Sequence, residues 1–386
     1  MPVGLGEPED AGPAKVRSVI RECVDWGSNA PLASAAMKGR QAEVAERFRW
    51  QAGWCGKLGS PLYEDLLNQA AADIERGGPV WEVLAGDDPG ADGLLPGAQA
   101  LRLMGAVHRL VLEGRAAGLA AFYPSAGGVV AAGAPRAFVD LLAQQRDEVA
   151  ALAGNPVQTN EPGRSAGLMG GFLEVAHQTG LPLQLLEIGA SAGLNLRWDR
   201  YFYTAPGASW GDPRSAVRFE PAFSEGAPPF DVEPEVVARR GCDPAPLDAG
   251  KRSHQLTLMS YVWPDQVKRF EQLRGALEVA AALPVQIDRA GAVEWLEERF
   301  AEPRPGVATV VFHSVVLPYL GEEGIADLKR TIETAGAAAT ADSPLAWLSM
   351  EAGAEQADVR LTTWPGAESR VLARATFHGP PVRFLG

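Results

Sequence analysis

The sequence predicts an α/β fold: a Rossmann-like sheet finished by a C-terminal antiparallel hairpin and preceded by an all-helical N-terminal domain. Three observations carry this. Up to about residue 154 the apolar residues recur at helical spacing, with almost no β-branched runs. From 155 onward short β-rich runs alternate with amphipathic segments, the order of parallel strands joined by right-handed helical crossovers. The first of those runs, LQLLEI at 183–188, opens directly onto a glycine turn.

At 386 residues the chain exceeds what one core fills, and the change of period splits it into 16–154 and 155–386 after a loose tail, 1–15. In the first part Val44, Phe48, Cys55 and Leu58 form one helical stripe. Leu62, Leu66, Ala70 and Ile74 form the next, with Ser60 as cap and Pro61 at the first helical position. Leu101, Met104, His108 and Leu112, then Phe138, Leu141, Leu142, Gln145 and Val149, continue the pattern between Gly- and Pro-rich connections.

In the second part the expected strands are 183–188, 216–220, 284–287, 307–313 and 344–350. Helices are expected at 193–202, 253–282 with a break near Pro264, 290–300 and 322–335. Residues 358–364 and 370–385, parted by Pro365 and Gly366, read as a hairpin that closes one edge of the sheet.

Composition narrows the function. Apolar residues make up 46% of the chain, yet no uninterrupted apolar run reaches the roughly 18 residues of a membrane span. The formal charge of −13, without a basic patch, argues against a nucleic-acid partner. The N-terminus has acid and proline where a secretory signal needs basic and then apolar residues, and Cys23, Cys55 and Cys242 make no paired framework, so a cytoplasmic location is expected. No metal-binding motif is present, and no metal is expected.

Chemistry concentrates in Glu187-Ile188-Gly189-Ala190-Ser191-Ala192-Gly193-Leu194-Asn195, because open α/β sheets bind ligands at the carboxyl ends of their strands. Several readings compete. A dinucleotide turn needs glycines where Ser191 and Leu194 stand. Gly189-x-Ser191-x-Gly193 matches the nucleophile elbow of serine hydrolases, with His378 in the expected order, but no strand precedes 183 and no oxyanion loop is visible. The acid-x-Gly-x-x-x-Gly pattern suits a class I S-adenosylmethionine-dependent methyltransferase, whose strand-end carboxylate helps hold the methionyl ammonium. The two glycines could also serve strand–helix packing alone.

The segments 46–67, TNEPGRSAGL (159–168), LLEIGASAGLNLRWDRY (185–201), RRGCDPAPLD (239–248), SYVWPDQ (260–266), VVFHSVVLPYL (310–320) and TFHGPPVRFL (376–385) together resemble a bacterial domain-of-unknown-function family. Its C-terminal region is similar to class I methyltransferases, so the resemblance implies S-adenosylmethionine as cofactor and a small molecule or protein side chain as methyl acceptor.

In that reading Asn160, Glu187, Gly189, Ser191, Gly193 and Asn195 face the cofactor. Glu220, at the end of the second strand, takes the ribose, with Asp243 as the alternative, and Asp288 takes the adenine amino group or caps a helix. His313, ending the fourth strand, is the candidate base, or a hydrogen-bonded structural residue. Glu161 and Arg164 complete the catalytic candidates as an acid or base and a carboxylate partner, in a segment that also reads as an ordinary turn.

Overall fold

The computed structural model describes residues 33–86 and 98–386, with side chains from residue 39. The expected tail 1–15 and the start of the helical part, including Cys23, lie outside the described residues.

Helices α1 (Ala33–Lys57), α2 (Pro61–Glu75), α3 (Pro79–Leu84), α4 (Ala98–Leu112), α5 (Ala117–Ala120), α6 (Ala134–Gln144) and α7 (Arg146–Ala153) come first. Ser60 caps α2 and Pro61 opens it, because proline's missing N–H is an orphan at that position in any case. Most of the stripe residues close into one apolar cluster in which Phe48, Leu66, Leu103, Phe138 and Leu142 are fully buried, whereas Leu58 is exposed and Leu112 packs against the core of the sheet. Burying such a side chain stabilises the fold by about 2 kcal/mol.

Among the described residues a nine-stranded sheet follows, in the order β5-β12-β11-β10-β9-β8-β1-β6-β7. The strands are β1 (Leu183–Ile188), β5 (Phe223–Glu225), β6 (Val236–Asp243), β7 (Gln286–Arg289), β8 (Ala308–Ser314), β9 (Leu345–Ala352), β10 (Ala357–Trp364), β11 (Glu368–Thr376) and β12 (Gly379–Phe384). From β7 to β9 all neighbours are parallel, and β10, β11 and β12 form an antiparallel meander. The chain leaves β1 toward β6 and β7, then returns across it to β8. In open α/β sheets such a reversal is where a ligand crevice is expected, here at the carboxyl ends of β1 and β8.

Alternation along the strands assigns the two faces. Leu183 and Leu185 of β1 and Val310 and Phe312 of β8 face the glycine-rich helix α8 (Arg164–Thr179). Leu186, Ile188 and Val311 face α11 (Ala292–Phe300) and α12 (Gly321–Ala337) through Trp295, Leu296, Leu328 and Ile332. Helices α9 (Arg252–Ser260) and α10 (Val267–Ala282) lie on the α8 side and join the sheet to the helical part.

Three expectations are corrected. The second strand of the sheet is Val236–Asp243, not 216–220; Arg218–Phe219 is β4 of a small sheet with β2 (Phe202–Ala205) and β3 (Ala208–Trp210). VVARRGCD does not read as a strand because its arginines and glycine break the apolar run, and only its last three residues are buried. The helix expected at 193–202 is a short 3-10 stretch, Asn195–Arg200, broken at Arg197. The C-terminal hairpin is a meander of three strands, and β5 adds beyond β12, so the sheet's edge lies there instead.

The helical part is bolted to the sheet by the loop between α9 and α10. Asp265 accepts the Ser60 hydroxyl at 2.6 Å and the Leu62 amide at 3.0 Å, capping α2 from outside. His108 of α4 contacts the Ser260 carbonyl at 3.1 Å through Nδ1 and the Ser125 hydroxyl at 2.8 Å through Nε2.

Candidate functional site

β1 carries Glu187 on the α8 face, one residue before its end. Its carboxyl group is buried, 2% exposed, and Oε2 has no hydrogen-bond partner among the described residues. Burial pushes its pKa well above the ordinary carboxylate value, against a side-chain hydrogen bond from Asn195 and the charge of Arg197. The Ser165 hydroxyl donates to Asn195 Oδ1 at 2.8 Å, which turns the Asn195 amide toward Glu187. A carboxyl group thus waits at the crevice with one acceptor unused.

The turn after β1 uses nearly all of its own polar backbone. The amides of Ala190 and Gly193 donate to the carbonyls of Cys242 and Ala190. The Ser191 amide donates to Asp243 Oδ2 at 2.9 Å, and those of Ala192 and Leu194 donate to Asn160 Oδ1 at 3.1 and 2.9 Å. Arg197 donates to the carbonyls of Ala192 and Gly193, and Tyr201 to that of Leu194. Ser191 sits at φ +52 and Gly189 at φ +64, and Gly189 is the one exposed residue of the turn. At that position a Cβ would lie 2.5 Å from Val316 Cγ2.

The turn does not present the donors that two other chemistries use. A pyrophosphate needs free amides at the helix start, and here Ala192 and Leu194 spend theirs on Asn160. A serine hydrolase needs the amide after its nucleophile as an oxyanion donor, and that amide is Ala192's. The Ser191 hydroxyl donates to Gln158 Oε1 at 3.4 Å rather than to a histidine. What remains available is the uncommitted Glu187 Oε2, an acceptor once a cationic ligand draws off the carboxyl proton, and the second lone pairs of Asp243, whose oxygens each hold one amide, from Ser191 and Ala245.

Several expected site residues converge here. Asn160, Glu187, Gly189, Ser191, Gly193 and Asn195 form one connected unit. Asn160 acts through the turn backbone, because the segment joining α7 to α8 is laid across the crevice. Glu161 is 5% exposed and bound to Arg269, whose Nε lies 2.9 Å from Oε2, while Oε1 accepts the Gly163 amide at 3.1 Å. Burial alone raises its pKa, but the charge and hydrogen bonds of Arg269, with the Gly163 amide, outweigh burial and hold it below the ordinary value, so it is an ionised partner rather than a base. Arg164 donates to the carbonyls of Phe377 and Ser314, both at 3.1 Å, tying α8 to the ends of β8 and β11.

Three expected residues lie elsewhere. Glu220 is exposed beyond β4 and paired with Arg218 at 2.7 Å; the carboxylate at the end of the second parallel strand is Asp243. Asp288 lies within β7 and points to the α11 face, where Arg240 and Trp295 each donate to it at 2.7 Å. His313 shares the parity of Val311 and so also faces away from Glu187. Its Nε2 accepts the Trp347 indole N–H at 3.0 Å, which leaves the proton on Nδ1 to bond Glu351 Oε1 at 2.7 Å. With both nitrogens engaged and no exposure, His313 is not placed to act as the base.

Sequence reasoning passed over Val316, Trp347 and Glu351. Nothing local marks them, since Trp347 and Glu351 reach His313 from 34 and 38 residues away.

Among the described residues no helix is long and apolar enough to cross a membrane, and no cluster of three or more His, Cys, Asp or Glu could hold a metal ion. No curated protein and no solved structure matches the chain. A family described as "Uncharacterized protein conserved in bacteria (DUF2332)" matches residues 45–384, which span the helices, the crevice and the meander. The chain belongs to this bacterial family.

Proposed function

We propose that the chain binds S-adenosylmethionine at the carboxyl end of β1 and directs its methyl group to a small molecule or a protein side chain. The observation that carries this is the unused, buried Glu187 Oε2 beneath a turn whose amides are spent. Such a site selects a ligand bringing a cation or hydroxyl donors, and rejects phosphate. S-adenosylmethionine supplies an ammonium, two ribose hydroxyls and an already reactive sulfonium methyl.

In this reading Glu187 takes the ammonium, and Asp243, in place of Glu220, takes the hydroxyls through lone pairs not used on the turn. Gly189 offers its exposed backbone for close approach. No free general base is placed by the expected trio, because Glu161, Arg164 and His313 are all held by protein groups. The chain's contribution is therefore to align an acceptor and exclude water.

The test is calorimetry with S-adenosylmethionine and S-adenosylhomocysteine on the wild type and Glu187→Gln. Saturable binding weakened at least tenfold by the substitution supports the reading. Absence of binding, or equal binding by both proteins, removes it. Labelling of Ser191 by a fluorophosphonate would instead restore the hydrolase.

A further inference from the structure

His313 is fully buried, yet it sits in a chain of hydrogen bonds that ends at the crevice. The Trp347 indole can only donate, so the 3.0 Å contact fixes the tautomer with hydrogen on Nδ1. That hydrogen meets Glu351 Oε1 at 2.7 Å, and the same oxygen accepts the Val316 amide at 2.9 Å. One carboxylate oxygen thus joins the far face of the sheet to the loop after β8.

The loop is held in an unfavourable form. Val315 has φ +56, a left-handed conformation that a β-branched residue rarely adopts. It persists because its neighbours over-determine it: the Val315 amide donates to the Met350 carbonyl at 2.9 Å, and the Ser314 carbonyl accepts Arg164 at 3.1 Å. The result is a Val316 side chain set against Gly189, with Cγ2 2.5 Å from where a Cβ there would be. Val316 thus covers the side of Gly189 on which a side chain would stand.

We propose that Trp347, His313 and Glu351 form a positioning relay whose output is Val316, and that Val316 limits what can approach the backbone at Gly189. His313 is then a positioning residue. The relay stands on geometry alone; the limit on ligand approach rests on the function proposed above.

Hydrogen–deuterium exchange of the ligand-free protein tests the relay, read in peptides covering 311–318 with peptides from β10 as the control for global opening. Trp347→Phe frees the tautomer and His313→Leu deletes the link, so both should speed exchange at Val316 at least tenfold relative to β10. His313→Asn, whose amide replaces Nδ1–H, should restore the wild-type rate. Unchanged exchange in Trp347→Phe and His313→Leu overturns the relay, as does a change shared equally by β10.

Titration with S-adenosylhomocysteine tests the limit. Val316→Phe should weaken binding at least tenfold and Val316→Ala should not; equal binding by Val316→Phe overturns the limit. If the wild type itself fails to bind, the proposed function falls and the limit with it, while the exchange result still decides the relay.

Discussion

Asp243 accepts the amide proton of Ser191 at 2.9 Å, a bond between the ends of neighbouring parallel strands that holds a serine at φ +52. Its other oxygen holds the Ala245 amide at 2.8 Å. Asp243→Ala leaves both donors without acceptors and should lower unfolding free energy by about 2–3 kcal/mol. Ser191→Gly removes the left-handed penalty and should change stability by less than about 1 kcal/mol. Urea melts of both variants decide this; a large loss in Ser191→Gly would show that the hydroxyl, not the backbone, matters.

Asn160 gives one oxygen to the amides of Ala192 and Leu194. Asn160→Ala should therefore cost about 2–3 kcal/mol and loosen the turn, while Asn160→Asp keeps the acceptor and most of the stability. Exchange rates of the 190–195 peptide separate the two. Equal protection in Asn160→Ala and wild type would be inconsistent with this role.

Asp265 ties α2 to the α9–α10 loop through Ser60 and Leu62. Asp265→Ala strips the cap of its external acceptor and should cost about 2 kcal/mol. Because the bond joins the two parts of the chain, the loss should appear as less cooperative unfolding as well as a lower midpoint. A lower midpoint with cooperativity intact would confine Asp265 to capping.

Burial pushes the His108 pKa down from 6.5 to about 4, against hydrogen bonds to the backbone at Ser260 and Val262. The unfolded chain then binds the proton that the folded chain refuses, so stability falls as pH drops from about 6.5 toward 4. Between pH 7 and 5 this single group should account for about 2 kcal/mol. Denaturant melts at both pH values on wild type and His108→Gln check it, with the variant expected to lose that part of the pH dependence.

Glu187 has the opposite sign. Its pKa is raised by burial, so the folded, ligand-free chain holds the proton longer than the unfolded chain, and stability falls as pH rises above the ordinary value of 4.5. Glu187→Gln should flatten this slope and be the more stable protein at neutral pH without ligand. A steeper slope in the variant would rule out a neutral Glu187.

Much of this was legible in the amino-acid order. LQLLEI ends where the strand ends, Gly321–Ala337 and Ala292–Phe300 lie close to the expected helices, and Ser60 with Pro61 marks the start of α2. These features depend on short-range periodicity and on backbone chemistry at single residues, which a linear reading contains. So did the grouping of Asn160, Glu187, Gly189 and Ser191, because strand ends and small-residue turns announce themselves locally.

Tertiary structure decided which carboxylates and histidines share a space. Asp288 and His313 stand on strands next to or near Glu187, yet a one-residue change of parity turns each to the opposite face of the sheet. Glu220 lost its place to Asp243 because an unrecognised strand, VVARRGCD, entered the sheet beside β1. The sequence alone thus set β1, the turn after it and its acidic end. Which side of the sheet each group served was decided by pleat and crossover, which form only when distant segments pair.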